Sequence, residues 1–114
     1  MARAINLQTV DAVIASGESQ SGAISVAPLV PIGIVMPASW TTAGLSFLVS
    51  VDGTNFYALQ DMSAEVTAAA AASQYIALNP MVFIGVVSFK VRSGTAGSPV
   101  NQSSARTLTI VSKV

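Results

Sequence analysis

Apolar and polar residues alternate along much of this chain, as in strands that bury one face. Between Leu45 and Val51, one side carries Leu45, Phe47, Val49 and Val51 and the other Ser46, Leu48 and Ser50. From Val86 to Arg92 the sides separate more cleanly, with Val87, Phe89 and Val91 against Ser88, Lys90 and Arg92. Near the end, Leu108 and Ile110 oppose Thr107 and Thr109. Earlier, Ile24 and Val26 alternate with Ser25 and Ala27, while Ile32, Ile34 and Met36 share a side. Each run predicts a strand with its apolar side toward a core.

Turn chemistry falls between these runs. Ser16-Gly17-Glu18-Ser19-Gln20-Ser21-Gly22 is a polar connector. Asp52-Gly53-Thr54-Asn55 is the sharpest hairpin signal, because Asp-Gly tolerates the positive φ of tight turns. Asn79-Pro80 starts another turn. The longest loop runs from Ser93 to Ser104, and long ordered loops are often binding loops. Several short strands at roughly ten-residue spacing predict an all-β fold, an antiparallel sandwich or barrel. Ala64 to Ala72 is ambiguous, since alanine is the best helix former. It lacks a 3.6-residue apolar face, so it reads as a strand through about Thr67, an alanine-rich loop, and a strand from Gln74 to Leu78. Residues 1–8 are expected to form an N-terminal arm and residues 9–114 a single β-sandwich domain.

Composition adds a statement about surroundings. Hydrophobic residues make up 52% of the 114, enough for a core, while charged residues make up 9%, against roughly 25% in an average domain. Five acidic and five basic side chains cancel, and net charge near zero promotes association. This predicts a subunit packed against neighbours, a homo-oligomer with a trimer favoured. The apolar stretch from Ala23 to Ala38 is broken by Pro28, Pro31 and Pro37, and it falls short of a membrane span. No targeting segment is seen, so a soluble protein made in the cytoplasm is expected, with no membrane partner.

Candidate chemistry is sparse. Without cysteine or histidine there is no disulfide, no thiolate zinc site and no Cys or His nucleophile–base pair. The acids Asp11, Glu18, Asp52, Asp61 and Glu65 show no pairing across a cleft, as a glycosidase would need. Asp52, Asn55, Asp61 and Glu65 are clustered oxygen ligands for calcium, but none has EF-hand spacing, and a turn accounts for Asp52. No catalytic residue, cofactor or metal is therefore assigned. Lys90, Arg92 and Arg106 could form a small basic patch on adjacent strands, yet the basic excess of a nucleic-acid binder is absent. A solvated face, or ion pairs to a neighbouring subunit, is the preferred reading. Trp40 is either a core plug or an exposed stacking ring, with the core favoured. Tyr57 and Tyr75 could bring their hydroxyls to the surface.

The tract from Pro37 to Phe56 joins a Trp-Thr pair, an alternating strand, an Asp-Gly turn and an aromatic on the return strand. With Tyr75 to Pro80, Phe89 to Gly97, Pro99 to Gln102 and Arg106 to Thr109, it resembles small virion proteins of tailed phages, over about Gly33 to Ile110. The Trp-strand-Asp-Gly unit is also similar to the discoidin or galactose-binding jelly roll, which implies an antiparallel β-sandwich of jelly-roll type whose end loops bind sugars or lipids. No ligand residue carries over, because those loops have no fixed motif. The resemblance implies a non-enzymatic virion structural protein. A capsid cement or decoration protein on the major capsid protein is the first expectation. A tail or fibre module that binds a glycan, and a neck or tail component, are the alternatives. Residues expected to reach neighbours are Arg3, Ile5 and Leu7 in the arm, Trp40, Lys90, Arg92, Thr95, Val100, Asn101 and Arg106.

Overall fold

The computed structural model describes residues 7–113. Among them the strands are β1 (Leu7–Ile14), β2 (Ile24–Ser25), β3 (Val30–Val35), β4 (Leu45–Ser50), β5 (Tyr57–Ala58), β6 (Gln60–Asp61), β7 (Ala64–Glu65), β8 (Thr67–Ala68), β9 (Tyr75–Ala77), β10 (Ser88–Ser93) and β11 (Arg106–Lys113). One short 3-10 helix covers Pro80–Phe83, where Asn79 Oδ1 accepts from the Met81 N–H at 3.1 Å. No helix among the described residues is long and apolar enough to cross a membrane.

The strands form two antiparallel sheets, ordered β1-β11-β3-β9 and β2-β10-β4-β5, with β8 also on β4 and a small β6–β7 ribbon. Setting aside β6, β7 and β8, the other eight strands in chain order lie 1-8-3-6 in the first sheet and 2-7-4-5 in the second. This is the jelly-roll order, in which the chain passes between sheets at nearly every connection. The fold is thus an all-β antiparallel sandwich. Its core is made by the inward sides of both sheets, with Ile14, Ile34, Leu45, Phe47, Phe89, Val91, Leu108 and Ile110 fully buried. Phe47, Phe83 and Phe89 meet at its centre. Phe47 and Phe83 stand edge to face with centroids 5.3 Å apart, an arrangement favoured by the ring quadrupoles.

The Asp-Gly turn joins β4 to β5 as its chemistry predicts, with Gly53 at φ +81°. The alanine-rich segment is a loop flanked by β8 and β9. Three sequence expectations are corrected. Val51 is 70% exposed and outside β4, because the turn already begins at Ser50. Ser50 Oγ accepts from the Gly53 N–H at 2.8 Å and donates to Asp52 Oδ1 at 2.9 Å. The polar side of β10 does not face water, since Ser88 and Arg92 are both buried. Leu7 and Gln8 are not part of an arm, for they pair with Lys113 and Ser112 as the start of β1. The remaining arm residues, including Arg3 and Ile5, lie outside the described residues.

Candidate functional site

One end of the sandwich collects much of the predicted site. There the loop after β3 meets the loop that leads from β10 to β11. Gln102 in the second loop is fully buried and ties them together. Its Oε1 accepts from the Thr41 N–H at 2.8 Å and from Arg106 Nε at 3.1 Å. Its Nε2 donates to the Thr41 carbonyl at 3.0 Å and to Ser93 Oγ at 2.7 Å. Arg106 Nη2 also reaches Thr41 Oγ1 at 3.2 Å. Trp40, one residue away, is half-buried against the core and donates Nε1–H to the Ala43 carbonyl at 3.0 Å. Trp40 and Arg106 are therefore held by the fold, and sequence reasoning missed Gln102, which holds Arg106 and the Thr41 backbone next to Trp40. A buried glutamine in a polar loop carries no sequence signal of its own.

The basic patch considered for Lys90, Arg92 and Arg106 does not form. Arg92 lies along β4, its Nε donating to Ser46 Oγ at 2.9 Å and its Nη2 to Glu65 Oε2 at 2.8 Å. The arginine side chain is 7% exposed and the glutamate 20%. Arg92 is thus not free to pair with a neighbouring subunit, because its partner is within its own chain. Glu65 Oε2 also accepts from the Ala96 N–H at 3.0 Å, which anchors the long loop. Lys90 sits 4.7 Å over the Phe56 ring, a cation–π contact. Arg106 belongs to the other sheet. In the long loop, Thr95 and Val100 are half-buried and Asn101 is exposed. Thr95 Oγ1 accepts from the Ser98 N–H at 3.1 Å, and the Val100 N–H donates to the Ser93 carbonyl at 2.9 Å.

The oxygen ligands considered for calcium are not brought together. Glu65 is committed to Arg92, and Asp52 to its own turn. Asp52 accepts from the backbone N–H groups of Asn55 and Thr54 at 2.8 Å each, and from the Asn55 side chain at 2.9 Å. These donors hold its carboxyl well below the usual carboxylate range. Among the described residues no group of three His, Cys, Asp or Glu side chains converges. A cleft of about 380 Å³ between Pro28, Leu29, Phe83, Ile84 and Val86 contains no titratable side chain.

The most distinctive surface is the outer face of the β1-β11-β3-β9 sheet. Residues directly opposite in an antiparallel pair share a face. The register therefore places Leu7, Thr9, Asp11 and Val13 beside Lys113, Val111, Thr109 and Thr107. Next come Gly33 and Val35 of β3, and then Ala77 and Tyr75 of β9. The partners of these rows, Ala12, Ile14, Leu108, Ile110 and Ile34, point into the core. Leu7, Val13, Val35 and Tyr75 are all exposed, at 47%, 49%, 44% and 56%. Tyr75 lays its ring across Gly33, where any Cβ would strike it, so the glycine seats the ring flat on the sheet. Of the predicted site residues that are described, only Leu7 lies on this face. The signal was present in β1, where Leu7 and Val13 on the outer side blur the alternation with Val10, Ala12 and Ile14 on the inner side. Tyr57, the other exposed tyrosine at 64%, is in β5 on the opposite sheet.

No family model matches the chain, and no curated protein matches it. Among solved structures, the crystal structure of the Yersinia pseudotuberculosis-derived mitogen is similar, with a TM-score of 0.42 and 14% identity over 97% of this chain and 87% of that one.

Proposed function

We propose that this chain is a non-enzymatic structural protein of a phage virion. In this reading it is made in the host cytoplasm and assembles onto the major capsid protein as a cement or decoration subunit. The observation that carries it is the outer face of the β1-β11-β3-β9 sheet. A sheet face turned to water normally presents polar side chains. This one exposes Leu7, Val13, Val35 and Tyr75, and such patches mark contact surfaces. A shell subunit present in many copies turns modest contacts into firm attachment. The jelly-roll order supports the reading at the level of architecture, since viral capsid domains use it, although function lies in the site and not the fold.

The exposed rings of Tyr57 and Tyr75 favour one second reading, a tail or fibre module that binds a glycan. The two rings lie on different sheets and so offer two separate stacking positions, not one platform. Immunogold labelling of intact virions with an antibody to this chain separates the readings. Dense label over the head is the result expected. Label confined to the tail or fibres would overturn the cement role and move the question to glycan binding.

A further inference from the structure

We infer that the outer face of the β1-β11-β3-β9 sheet pairs with the same face of a second copy of this chain, about a two-fold axis. The inference rests on the reading of that face as a contact surface and names its partner. Among the described residues that the register of the four strands places on this face, only Asp11 and Lys113 are charged. Both are exposed. They have opposite sign and sit on neighbouring strands, Asp11 opposite Thr109 and Lys113 opposite Leu7. Four residues along a strand separate them, roughly 14 Å. That exceeds the screening length of about 8 Å at physiological salt, so the two gain little from each other within one chain.

Their placement is symmetric about the row formed by Thr9 and Val111. A two-fold axis lying in the face along that row turns each Asp11 to the level of the partner's Lys113. The two are then one strand spacing apart, about 4.8 Å sideways, within reach of a lysine side chain. Leu7, Val35 and Tyr75 come under the partner's face by the same operation while Val13 lies beyond the partner's Leu7, and each contact occurs twice, as in any isologous dimer. A single pair of opposite charges on an otherwise uncharged face thus fits a second copy of itself. The two copies overlap over roughly 19 Å by 14 Å, about 270 Å² per copy. A standard interface buries about 800 Å² per partner, so the pair is weak in dilute solution and favoured by crowding on a surface.

The test is sedimentation equilibrium of the purified chain up to its solubility limit, with charge swaps. The wild type is expected to reach a dimer. Asp11→Lys and Lys113→Asp, each alone, are expected to weaken it by about tenfold, and the double swap to restore it to within about threefold. Both sites are exposed, and circular dichroism with Trp40 fluorescence verifies that each variant is folded. Were either swap to unfold the chain, loss of wild-type dimer at high salt would serve as the second measurement. A monomer at every concentration, a trimer, or a dimer indifferent to the single swaps and to salt would overturn the pairing. The outcome is independent of virion labelling, so failure here and failure of the capsid reading are told apart.

Discussion

Replacing Gln102 by leucine keeps most of the side-chain volume and deletes the side-chain hydrogen bonds that Gln102 makes at this end of the sandwich. The glutamine exchanges four hydrogen bonds with Thr41, Ser93 and Arg106. Neutral hydrogen bonds contribute about 0.5–1.5 kcal/mol net, and those to a charged group about 1.5–3 kcal/mol. Not all of that is lost, because Thr41 and Arg106 are half-buried and can turn to water. Ser93 cannot, since it is fully buried and keeps an unpaired hydroxyl. Leucine returns part of the loss through its own burial. The balance is a destabilisation of about 2–4 kcal/mol. Urea unfolding followed by fluorescence reads it directly, because Trp40 is the sole tryptophan and adjoins Thr41. An unchanged m-value with a lower midpoint is expected. A loss below about 0.5 kcal/mol, the scale of an ordinary surface change, would refute the view that Gln102 holds this end together.

Two further outcomes follow from the polar groups. Glu65→Ala leaves the Arg92 guanidinium buried without its carboxylate and is expected to cost about 3 kcal/mol, while Glu65→Leu with Arg92→Met recovers most of it. A double-mutant cycle in denaturant measures this, and additive single effects would contradict the pairing. Asp52 has a folded pKa below its unfolded value, so its contribution is full above the unfolded pKa near about 3.9 and is lost as pH falls through the folded one. The stability gap between wild type and Asp52→Asn should therefore shrink between neutral pH and strong acid, and a gap that stays constant in pH-dependent unfolding would reject that linkage.

Local signals were legible from sequence and distant ones were not. Asp52 and Gly53 announce their turn because the chemistry is contained within four residues. Leu108, Ile110, Phe89 and Val91 announce the core because one side of each strand is apolar. Arg92 was misread, since alternation says only that it faces away from Val91. Its partner Glu65 is 27 positions away and is brought near by folding. Gln102 escaped for the same reason, as Thr41 lies 61 positions before it. The start of the domain was misplaced by two residues, because Leu7 and Val13 on the outer side of β1 blur its alternation. Strand order in the two sheets has no local cause at all. The jelly-roll type entered through resemblance, and the two sheet orders now establish it.

The place of β11 between β1 and β3 has a consequence for how the molecule comes into being. β1 touches its sheet only through β11, with Leu7 opposite Lys113 and Ile14 opposite Arg106. The first strand of the domain to leave a ribosome thus waits for the last before it can pair. Until then β1 and β3 both hold open edges, the kind of surface that joins with other chains when unguarded. Pairings between such distant segments also place the chain among slow folders, on the scale of milliseconds to seconds. Assembly of the sandwich therefore waits until β11 has been made, and the interval before β11 inserts is when a newly made copy is most exposed to aggregation with its siblings.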